Sequence, residues 1–384
     1  MHSKFHHLKD QIDMQTPTAV TLLTGFLGAG KTTLLNKLLH DPNAGRIAVV
    51  VNEYGDAGLD HDLIEETAED VVLMAAGCIC CSIRGDLSRT LMLLHTRRAA
   101  GELDFDRVVI ETTGLADPGP VHHTLLIDSD LAAHFVLDGI VTAVDSALGA
   151  LTLDRYGEAQ AQVAMADRII LTKTDLAEPA DTWALARRLA RLNPGAERIE
   201  AVYGAVPSGA LFRLSAMRKD TTRDDALGWL ATPSPKTQRD PLAGLSGFGT
   251  RRMDPLLELG GPSHHATDSR IKTASTTLDS PIPASVFDFW LDSLIAPRGA
   301  DILRLKGIVH IQDVQTPFVF HGVQHIFEPP VPLHDWPDGD TTSRVVMIAR
   351  DFSQEDLDQS LAMLRMRPGE DDQTQGIMVH TLSV

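Results

Sequence analysis

Cysteine is scarce in this chain of 384 residues: there are three, and all of them lie in the tetrapeptide Cys78-Ile79-Cys80-Cys81. An odd and local set cannot cross-link a fold, so a disulfide framework is excluded and a reducing compartment is expected. Basic residues are also outnumbered, because 34 Lys and Arg stand against 52 Asp and Glu. Nucleic acids are bound through clustered Lys and Arg. We therefore expect no nucleic-acid partner.

Long apolar runs are absent as well. No stretch of the sequence approaches the length that spans a bilayer, and residues 1–17 lack the apolar core of a signal peptide. We expect a cytoplasmic protein with no membrane partner and with a disordered leader at residues 1–17. The length favours two domains, and a hydrophobic content of 43% is sufficient for ordinary cores.

The most informative stretch runs from Thr21 to Thr33, where an apolar strand leads into a glycine-rich loop. The spacing G-x-x-x-x-G-K-[ST] is met by Gly25, Gly30, Lys31 and Thr32, with Gly28 and Ala29 inside the loop. Such a loop curls around phosphate oxygens and leads into a helix, here from Thr33 onward, whose N-terminus favours anions. The sequence predicts a nucleotide site in which Lys31 contacts the β- and γ-phosphates and Thr32 holds Mg²⁺.

Further apolar runs predict a mostly parallel sheet of the α/β class. The predicted strands are 19–23, 46–51, 71–74, 107–110, 139–144, 168–171 and the short 198–202. One of them ends at Glu111, which we expect to contact Mg²⁺, and Gly114 follows, with its N–H near the γ-phosphate. Lys31, Thr32 and Glu111 are the predicted catalytic residues.

Thr172-Lys173-Thr174-Asp175 follows another predicted strand and resembles the N/T-K-x-D motif that recognises guanine. The Asp175 carboxylate would accept hydrogen bonds from N1–H and the exocyclic amine of guanine, and the Lys173 stem would lie along the base. Adenine offers a carboxylate no such pair of donors. We therefore expect GTP and GDP as ligands. Thr172 replaces the commoner Asn with a shorter side chain.

The cysteine tetrapeptide forms a dense set of soft ligands, which select Zn²⁺, Cu(I) and, less strongly, Co²⁺. Cys78, Cys80 and Cys81 on one loop cannot easily complete a tetrahedral shell. The missing ligand is left open between Glu53, Asp56, other side chains (His122 and His123), water and a partner protein. An incomplete site is better suited to transferring a metal than to holding it as a structural ion.

The composition changes after the predicted sheet. Residues 214–270 are rich in charged residues, Ser, Thr, Pro and Gly, which predicts a flexible linker with one short helix at 224–230. The predicted organisation is a leader (1–17), a P-loop GTPase domain (18–213), the linker, and a smaller α+β domain (271–384). In this last domain we predict strands at 271–278, 301–312, 317–327 and 343–349 and helices at 284–294 and 354–364. We expect its histidines to be satisfied locally.

These motifs occur in the order of the CobW family of P-loop GTPases, which this chain resembles, and most closely its YjiA-like branch. Residues 302–307 and 343–350 resemble the C-terminal domain of that family. The resemblance implies GTP hydrolysis and transition-metal handling, with Zn²⁺ the usual proposal and Co²⁺ delivery for cobalamin synthesis a known variant. It also implies a client metalloprotein as the partner.

Several functions stay open on the sequence alone. A slow GTPase that delivers a metal is favoured, and a cobalt-handling protein is the nearest alternative. A regulatory GTPase whose cysteines sense metal or redox state, or a phosphoryl transferase, would use the same loop. The client, the group that activates the attacking water, and the choice between a monomer and a homodimer are not specified by any motif.

Overall fold

The computed structural model describes residues 17–52, 71–76, 83–218, 220–230, 270–334, 336–337 and 339–367. The chain divides into two compact units, and each has a sheet of its own. The first comprises Met1–Ser215 and Ala231–Arg270, and the second comprises Ala216–Leu230 and Ile271–Val384. Among the helices of these described ranges, none is long and apolar enough to cross a membrane.

The first unit is built on one parallel sheet. Its described strands are β1 (Thr18–Gly25), β2 (Ile47–Asn52), β3 (Val71–Ala76), β4 (Arg107–Thr112), β5 (Phe135–Asp145), β6 (Arg168–Thr172) and β7 (Glu197–Glu200). They lie in the order β3-β2-β4-β1-β5-β6-β7, and every pairing between them is parallel. The predicted α/β class is confirmed.

Helices connect these strands and cover the sheet. The described helices are α1 (Lys31–Leu39), α2 (Ile83–Ala99), α3 (Gly119–Ile127), α4 (Ser129–His134), α5 (Gly149–Arg155), α6 (Gly157–Met165) and α7 (Pro179–Leu192). Leu34, Leu35 and Leu38 of α1 pack in a buried cluster with Val49 and Val109 of the sheet. The strands are apolar along nearly their whole length because both faces of a parallel sheet are covered.

Some elements of this unit differ from the sequence prediction. β5 begins at Phe135 rather than at residue 139. The sequence after the cysteine tetrapeptide predicts a helix over about 86–95, and α2 is longer, from Ile83 to Ala99. The short helices α3, α4 and α5 were not predicted. Helices of six to nine residues contain too few turns for an apolar periodicity to stand out.

The second unit is an antiparallel sheet with helices, which confirms the predicted α+β domain. Its strands are β8 (Ile271–Leu278), β9 (Ile302–Val309), β10 (Phe318–Val323), β11 (Ile326–Phe327), β12 (Val331–Pro332) and β13 (Ser343–Arg350). The sheet order is β11-β10-β9-β13-β8, and β12 pairs with β10. Two helices, α9 (Ala284–Arg298) and α10 (Gln354–Met363), pack Trp290, Leu294 and Leu357 against one face.

The predicted strand at 317–327 is two strands instead. β10 and β11 form a tight hairpin in which Gly322 pairs with Phe327 and Val323 with Ile326. Gln324 takes a φ of 58° in the turn. The sequence did not reveal this turn, because neither turn position, Gln324 or His325, is Gly or Asn.

The predicted linker is corrected in its first part. Helix α8 (Arg223–Leu230) belongs to the second unit, where Ala226, Trp229 and Leu230 pack in a buried cluster with Ile308 and other residues of β9, β10 and β13. These sheet residues alternate with those that face α9 and α10, so α8 covers the opposite face. The sequence predicted this helix but placed it in the linker, because charged residues dominate the composition around its three buried apolar residues. Residues 231–269 of the predicted linker and residues 1–16 of the predicted leader (1–17) lie outside the described residues.

Candidate nucleotide-binding site

The candidate site lies at the carboxyl ends of the central strands of the first unit. β1 is flanked by β4 and β5, and the register places Leu23 beside Glu111 and Gly25 beside Ala143. In open parallel sheets, ligands bind where the strand order reverses, as it does around β1. The loop after β1, the acidic end of β4 and the end of β5 therefore share one edge of the sheet.

The loop between β1 and α1 requires glycine for steric reasons. Gly25 has a φ of 142°, and a Cβ there would overlap the carbonyl oxygen of Ala143. Gly30, immediately before α1, is left-handed with a φ of 87°. The loop thus packs tightly on β5 and turns sharply into the helix. The N–H groups of a helix's first turn point out of its N-terminal end, so the start of α1 at Lys31 suits an anion.

Lys31 is buried, and its side chain folds back over the loop. Nζ donates hydrogen bonds to the carbonyl oxygens of Gly25 at 3.0 Å and Phe26 at 3.5 Å. The positive charge of Lys31 is therefore held over the loop. The prediction that Lys31 contacts phosphate stays a prediction.

Thr32 and Glu111 are brought together although 79 positions separate them. The Thr32 hydroxyl donates to Glu111 Oε1 at 2.9 Å, and Glu111 is only 7% exposed. Below them, Thr112 donates to Thr24 at 2.9 Å and ties β4 to β1. A hydroxyl and a carboxylate are oxygen ligands of the type that Mg²⁺ prefers. The donor set therefore fits this ion.

Gly114 follows β4 and lies directly against the phosphate loop. A Cβ at Gly114 would lie 2.5 Å from the backbone nitrogen of Leu27, so only glycine allows this approach. On another side, Gln162 of α6 donates hydrogen bonds to the carbonyl oxygens of Gly114 and Ala116. Sequence reasoning missed Gln162, since it lies within an ordinary helical pattern 48 residues away.

The predicted base-recognition residues follow β6. The Thr172 hydroxyl lies 2.7 Å from the carbonyl oxygen of Ala29 and 3.2 Å from that of Val144, so it supports the phosphate loop. Lys173 takes a left-handed backbone with a φ of 53°. Asp175 lies in a short 3₁₀ turn, Thr174–Leu176, and its side chain is exposed. The carboxylate that would recognise guanine is thus open to solvent.

Asp145 is a site residue that the sequence analysis did not identify. It ends β5, and its Oδ2 forms an ion pair of 2.8 Å with Nζ of Lys173. Its Oδ1 accepts the N–H groups of Ala147 at 2.8 Å and Leu148 at 3.0 Å. The signal was available, because a carboxylate that ends a buried strand is the same feature that drew attention to Glu111.

A second missed feature is the turn after β7, residues 201–205. The Thr174 hydroxyl donates to the carbonyl oxygen of Ala201 at 3.3 Å, which joins this turn to the Lys173–Asp175 segment. Gly204 has a φ of 77°, and a Cβ there would lie 2.9 Å from Cγ2 of Thr33. Tyr203 is 70% exposed in the turn. The turn therefore lies beside both α1 and the predicted base-recognition residues.

A cavity of about 230 Å³ borders the phosphate loop. Its walls are residues 26–29 of the loop, the end of β5 and the adjoining faces of α5 and α6, and Lys173 reaches it as well. The lining is mostly apolar, with Gln162 and the Asp145–Lys173 pair among its polar groups. The loop is therefore not packed solidly against these helices.

The predicted transition-metal ligands lie outside the described residues. These are Cys78, Cys80 and Cys81 together with Glu53 and Asp56. The strands that precede them are adjacent in the sheet, since β2 pairs with β3 up to Asn52 and Ala76. Both segments therefore begin at the same edge of the sheet as the phosphate loop.

Comparisons with known proteins agree with this arrangement. Residues 19–200 match the family described as CobW/HypB/UreG, nucleotide-binding domain, and residues 271–365 match the cobalamin synthesis protein cobW C-terminal domain. A zinc chaperone YjiA from Escherichia coli is 32% identical over 91% of this chain and 99% of its own length. A zinc-regulated GTPase metalloprotein activator from Schizosaccharomyces pombe is 30% identical over 90% of this chain and 85% of its own.

A solved structure supports the same assignment. The crystal structure of Zn(II)-bound YjiA GTPase from E. coli superimposes with a TM-score of 0.67 at 28% identity, covering 91% of this chain and all of that one. The two matched regions correspond to the parallel sheet and to the antiparallel sheet. This protein therefore belongs to the CobW/HypB/UreG family and carries its CobW C-terminal domain.

Proposed function

We propose that this protein binds GTP with Mg²⁺, hydrolyses it to GDP and phosphate, and uses the cycle to deliver a transition metal to a client protein. The observation that carries the GTPase part is the convergence of Lys31, Thr32 and Glu111 at the end of β1 and β4. The Lys173–Asp175 turn lies on the same sheet edge, so phosphates and base would be recognised by adjacent strands.

In this proposal each residue has a separate role. Lys31 offsets charge on the transferring phosphoryl group, and Thr32 and Glu111 hold Mg²⁺ directly or through water. Held there, the ion would supply positive charge against the negative charge that develops on the phosphates. The loop backbone between Gly25 and Gly30 contributes N–H groups to the phosphates. Turnover is slow, because no arginine in the motif loops serves as an arginine finger.

The metal part of the proposal rests on the cysteines and on the relatives. Cys78, Cys80 and Cys81 supply thiolates, and Glu53 or Asp56 supplies a further ligand. Two relatives carry zinc in their names, and one of these is named an activator of metalloproteins. Zn²⁺ is accordingly the proposed cargo, with Co²⁺ the alternative, and a client metalloprotein in the cytoplasm is the proposed partner.

A single lysine substitution tests the GTPase. In Lys31→Ala, GTP turnover should fall at least about a hundredfold, because a charge that stabilises the transition state is lost. Lys37→Ala is the matched control, since Lys37 lies exposed on the same helix. Phosphate release is measured with and without Mg²⁺. Turnover near wild type in Lys31→Ala would contradict the proposed site.

Metal content tests the delivery proposal. Protein prepared with GDP and with a non-hydrolysable GTP analogue is analysed for Zn²⁺ and Co²⁺, in wild type and in Cys80→Ser/Cys81→Ser. Wild type should hold metal in a nucleotide-dependent amount, and the double variant should hold little. The basal GTPase of the double variant, measured with Mg²⁺ and without added Zn²⁺ or Co²⁺, is the control and should be unchanged. Equal metal in both proteins would remove the cysteine site.

A further inference from the structure

Gln162 is a buried, uncharged residue of α6 that contacts the segment after β4. Its side chain is 1% exposed, and Nε2 donates to the carbonyl oxygens of Gly114 at 3.2 Å and Ala116 at 3.0 Å. Its own backbone carbonyl accepts the Thr142 hydroxyl at 2.9 Å, which fixes this turn of α6 to β5. One buried amide therefore holds two positions of the segment after β4.

The same segment is confined on its other side by the phosphate loop. Gly114 lies so close to Leu27 that a Cβ would approach the backbone nitrogen to 2.5 Å. Ala116 N–H donates to the carbonyl oxygen of Thr113 at 3.1 Å and closes a turn within the segment. Gly114 is therefore held between the close approach to Leu27 and the hydrogen bond from Gln162.

Helix α6 is itself anchored at both ends. Tyr156, immediately before it, contacts Phe26 of the phosphate loop with ring centroids 4.5 Å apart. At the other end, Asn193 Nδ2 donates to the carbonyl oxygens of Val163, Ala164 and Ala166 at 2.8–3.1 Å. Gln162 thus projects from a fixed support and does not move freely with the segment that it holds.

We propose that Gln162 is a positioning residue that holds Gly114 where its backbone meets the γ-phosphate, so that the protein distinguishes GTP from GDP. The inference rests on the proposed GTPase. Gln162 touches no reacting atom in this scheme and acts through the Gly114–Ala116 segment. GDP lacks the phosphate that this segment would contact, so its binding depends on the loop and base-recognition residues alone.

The space around Gln162 can hold another side chain of similar length. The side chain borders the cavity of about 230 Å³, whose nearby lining includes Leu153, Ala159 and Val163. Methionine has nearly the length of glutamine and adapts to irregular apolar space. Gln162→Met therefore removes both donors without forcing a clash. Gln160→Met is the matched control, because Gln160 on the same helix donates to the carbonyl oxygen of Leu153 instead, at 2.7 Å.

The experiment compares nucleotide affinities and kinetics in these variants. For Gln162→Met we expect affinity for a non-hydrolysable GTP analogue to fall about tenfold, the effect of losing two ordinary hydrogen bonds, and GDP affinity to stay within about twofold. kcat should fall as well. Gln160→Met should match wild type in all of these measurements. An equal loss for GDP and the analogue, or no loss for either, would overturn the positioning role.

A second variant keeps the inference testable if Gln162→Met does not fold. Gln162→Glu keeps the shape but replaces the donor by a carboxylate, which repels the two carbonyl oxygens. A protonated carboxyl can donate again, so the ratio of analogue to GDP affinity should recover between about pH 8 and about pH 6 relative to wild type. A ratio that does not change with pH would count against the inference. Failure of wild type itself to bind GTP or hydrolyse it would instead overturn the proposed function.

Discussion

Asp175 is the residue on which guanine specificity should depend. Its exposed carboxylate lies two positions after Lys173, whose ammonium is held by Asp145. In Asp175→Asn, GTP affinity should fall more than tenfold, since a charged hydrogen bond contributes about 1.5–3 kcal/mol. Xanthosine triphosphate should gain affinity, because its 2-carbonyl accepts a hydrogen bond from the new amide. Competition titrations with the two nucleotides measure both changes.

The control for this variant is Asp181→Asn, at an exposed position in the first turn of α7. It makes the same chemical change six positions further along the chain and should leave both affinities unaltered. If Asp175→Asn binds GTP as tightly as wild type, the assignment of Thr172–Asp175 to the base is wrong and another turn, such as residues 201–205, must recognise it.

The roles of single residues show what the sequence could and could not specify. Lys31, Thr32 and Glu111 were identified from the motif and from a strand end, and the structure brings Thr32 and Glu111 to 2.9 Å. Gln162 was missed because its role depends on a contact across 48 positions. Asp145 could have been found, since it ends a buried strand as Glu111 does. A local sequence pattern does not show which residues far apart in the sequence will be in contact. The conformation of a glycine-rich loop, by contrast, follows from the residues of the loop itself.

At the scale of the element, α8 is a packed helix within a stretch of sequence whose composition resembles that of a linker. Trp229 is 7% exposed, its carbonyl accepts a hydrogen bond from Lys306 at 3.3 Å, and Lys306 Nζ lies 4.3 Å from its ring centroid. Trp229→Ala should therefore destabilise the second unit by about 3–5 kcal/mol, the usual cost of deleting a buried large aromatic side chain. Denaturant unfolding followed by far-UV circular dichroism measures the change.

Trp183→Ala provides the matched control. Trp183 lies on α7 and is 63% exposed, and the guanidinium carbon of Arg187 lies 4.7 Å from its ring centroid. Its removal should cost less than about 1 kcal/mol. Equal unfolding curves for Trp229→Ala and wild type would mean that α8 does not stabilise the sheet and that residues 216–230 behave as the linker that their composition suggests.

The end of β9 carries a pH-dependent contribution to stability. Burial lowers the pKa of His310, Arg344 lowers it further, and Asp340 opposes them. The ring also packs edge-on to Trp336 at 5.7 Å. A histidine whose pKa is lower in the folded state binds fewer protons there than in the unfolded state. The folded protein therefore keeps its full stability above the unfolded pKa of about 6.5. As the pH falls below that value, protonation of His310 favours the unfolded state and the free energy of unfolding decreases.

His310→Gln should remove this part of the pH dependence. We expect the loss of stability between about pH 7 and about pH 5 to be smaller in the variant than in wild type. His325→Gln, which makes the same chemical change at an exposed histidine in the hairpin between β10 and β11, is the comparison variant. Denaturation midpoints over a pH series measure the slopes. A slope that is unchanged in His310→Gln would show that His310 does not cause it.

At the scale of the whole molecule, the proposed function requires metal and nucleotide to be linked. In the parallel sheet β2 lies beside β4, and β3 lies beside β2. The cysteine tetrapeptide follows β3 in the sequence after one further residue. The segments after β2 and β3 therefore begin at the edge that carries Lys31 and Glu111. A γ-phosphate and its Mg²⁺ can order a segment placed in this way, and hydrolysis releases it.

Thermodynamic linkage makes this coupling reciprocal. Whatever factor GTP contributes to metal affinity, metal must contribute to GTP affinity, and a typical coupling of about 1–3 kcal/mol corresponds to about 5- to 150-fold. We expect Zn²⁺ or Co²⁺ affinity to differ by such a factor between GDP and a non-hydrolysable GTP analogue. Competition titrations measure it in wild type and in Cys80→Ser/Cys81→Ser, in which the difference should vanish. The reciprocal titration of nucleotide at saturating metal must give the same factor. Equal metal affinities in both nucleotide states would exclude nucleotide-driven delivery and would leave the GTPase itself intact.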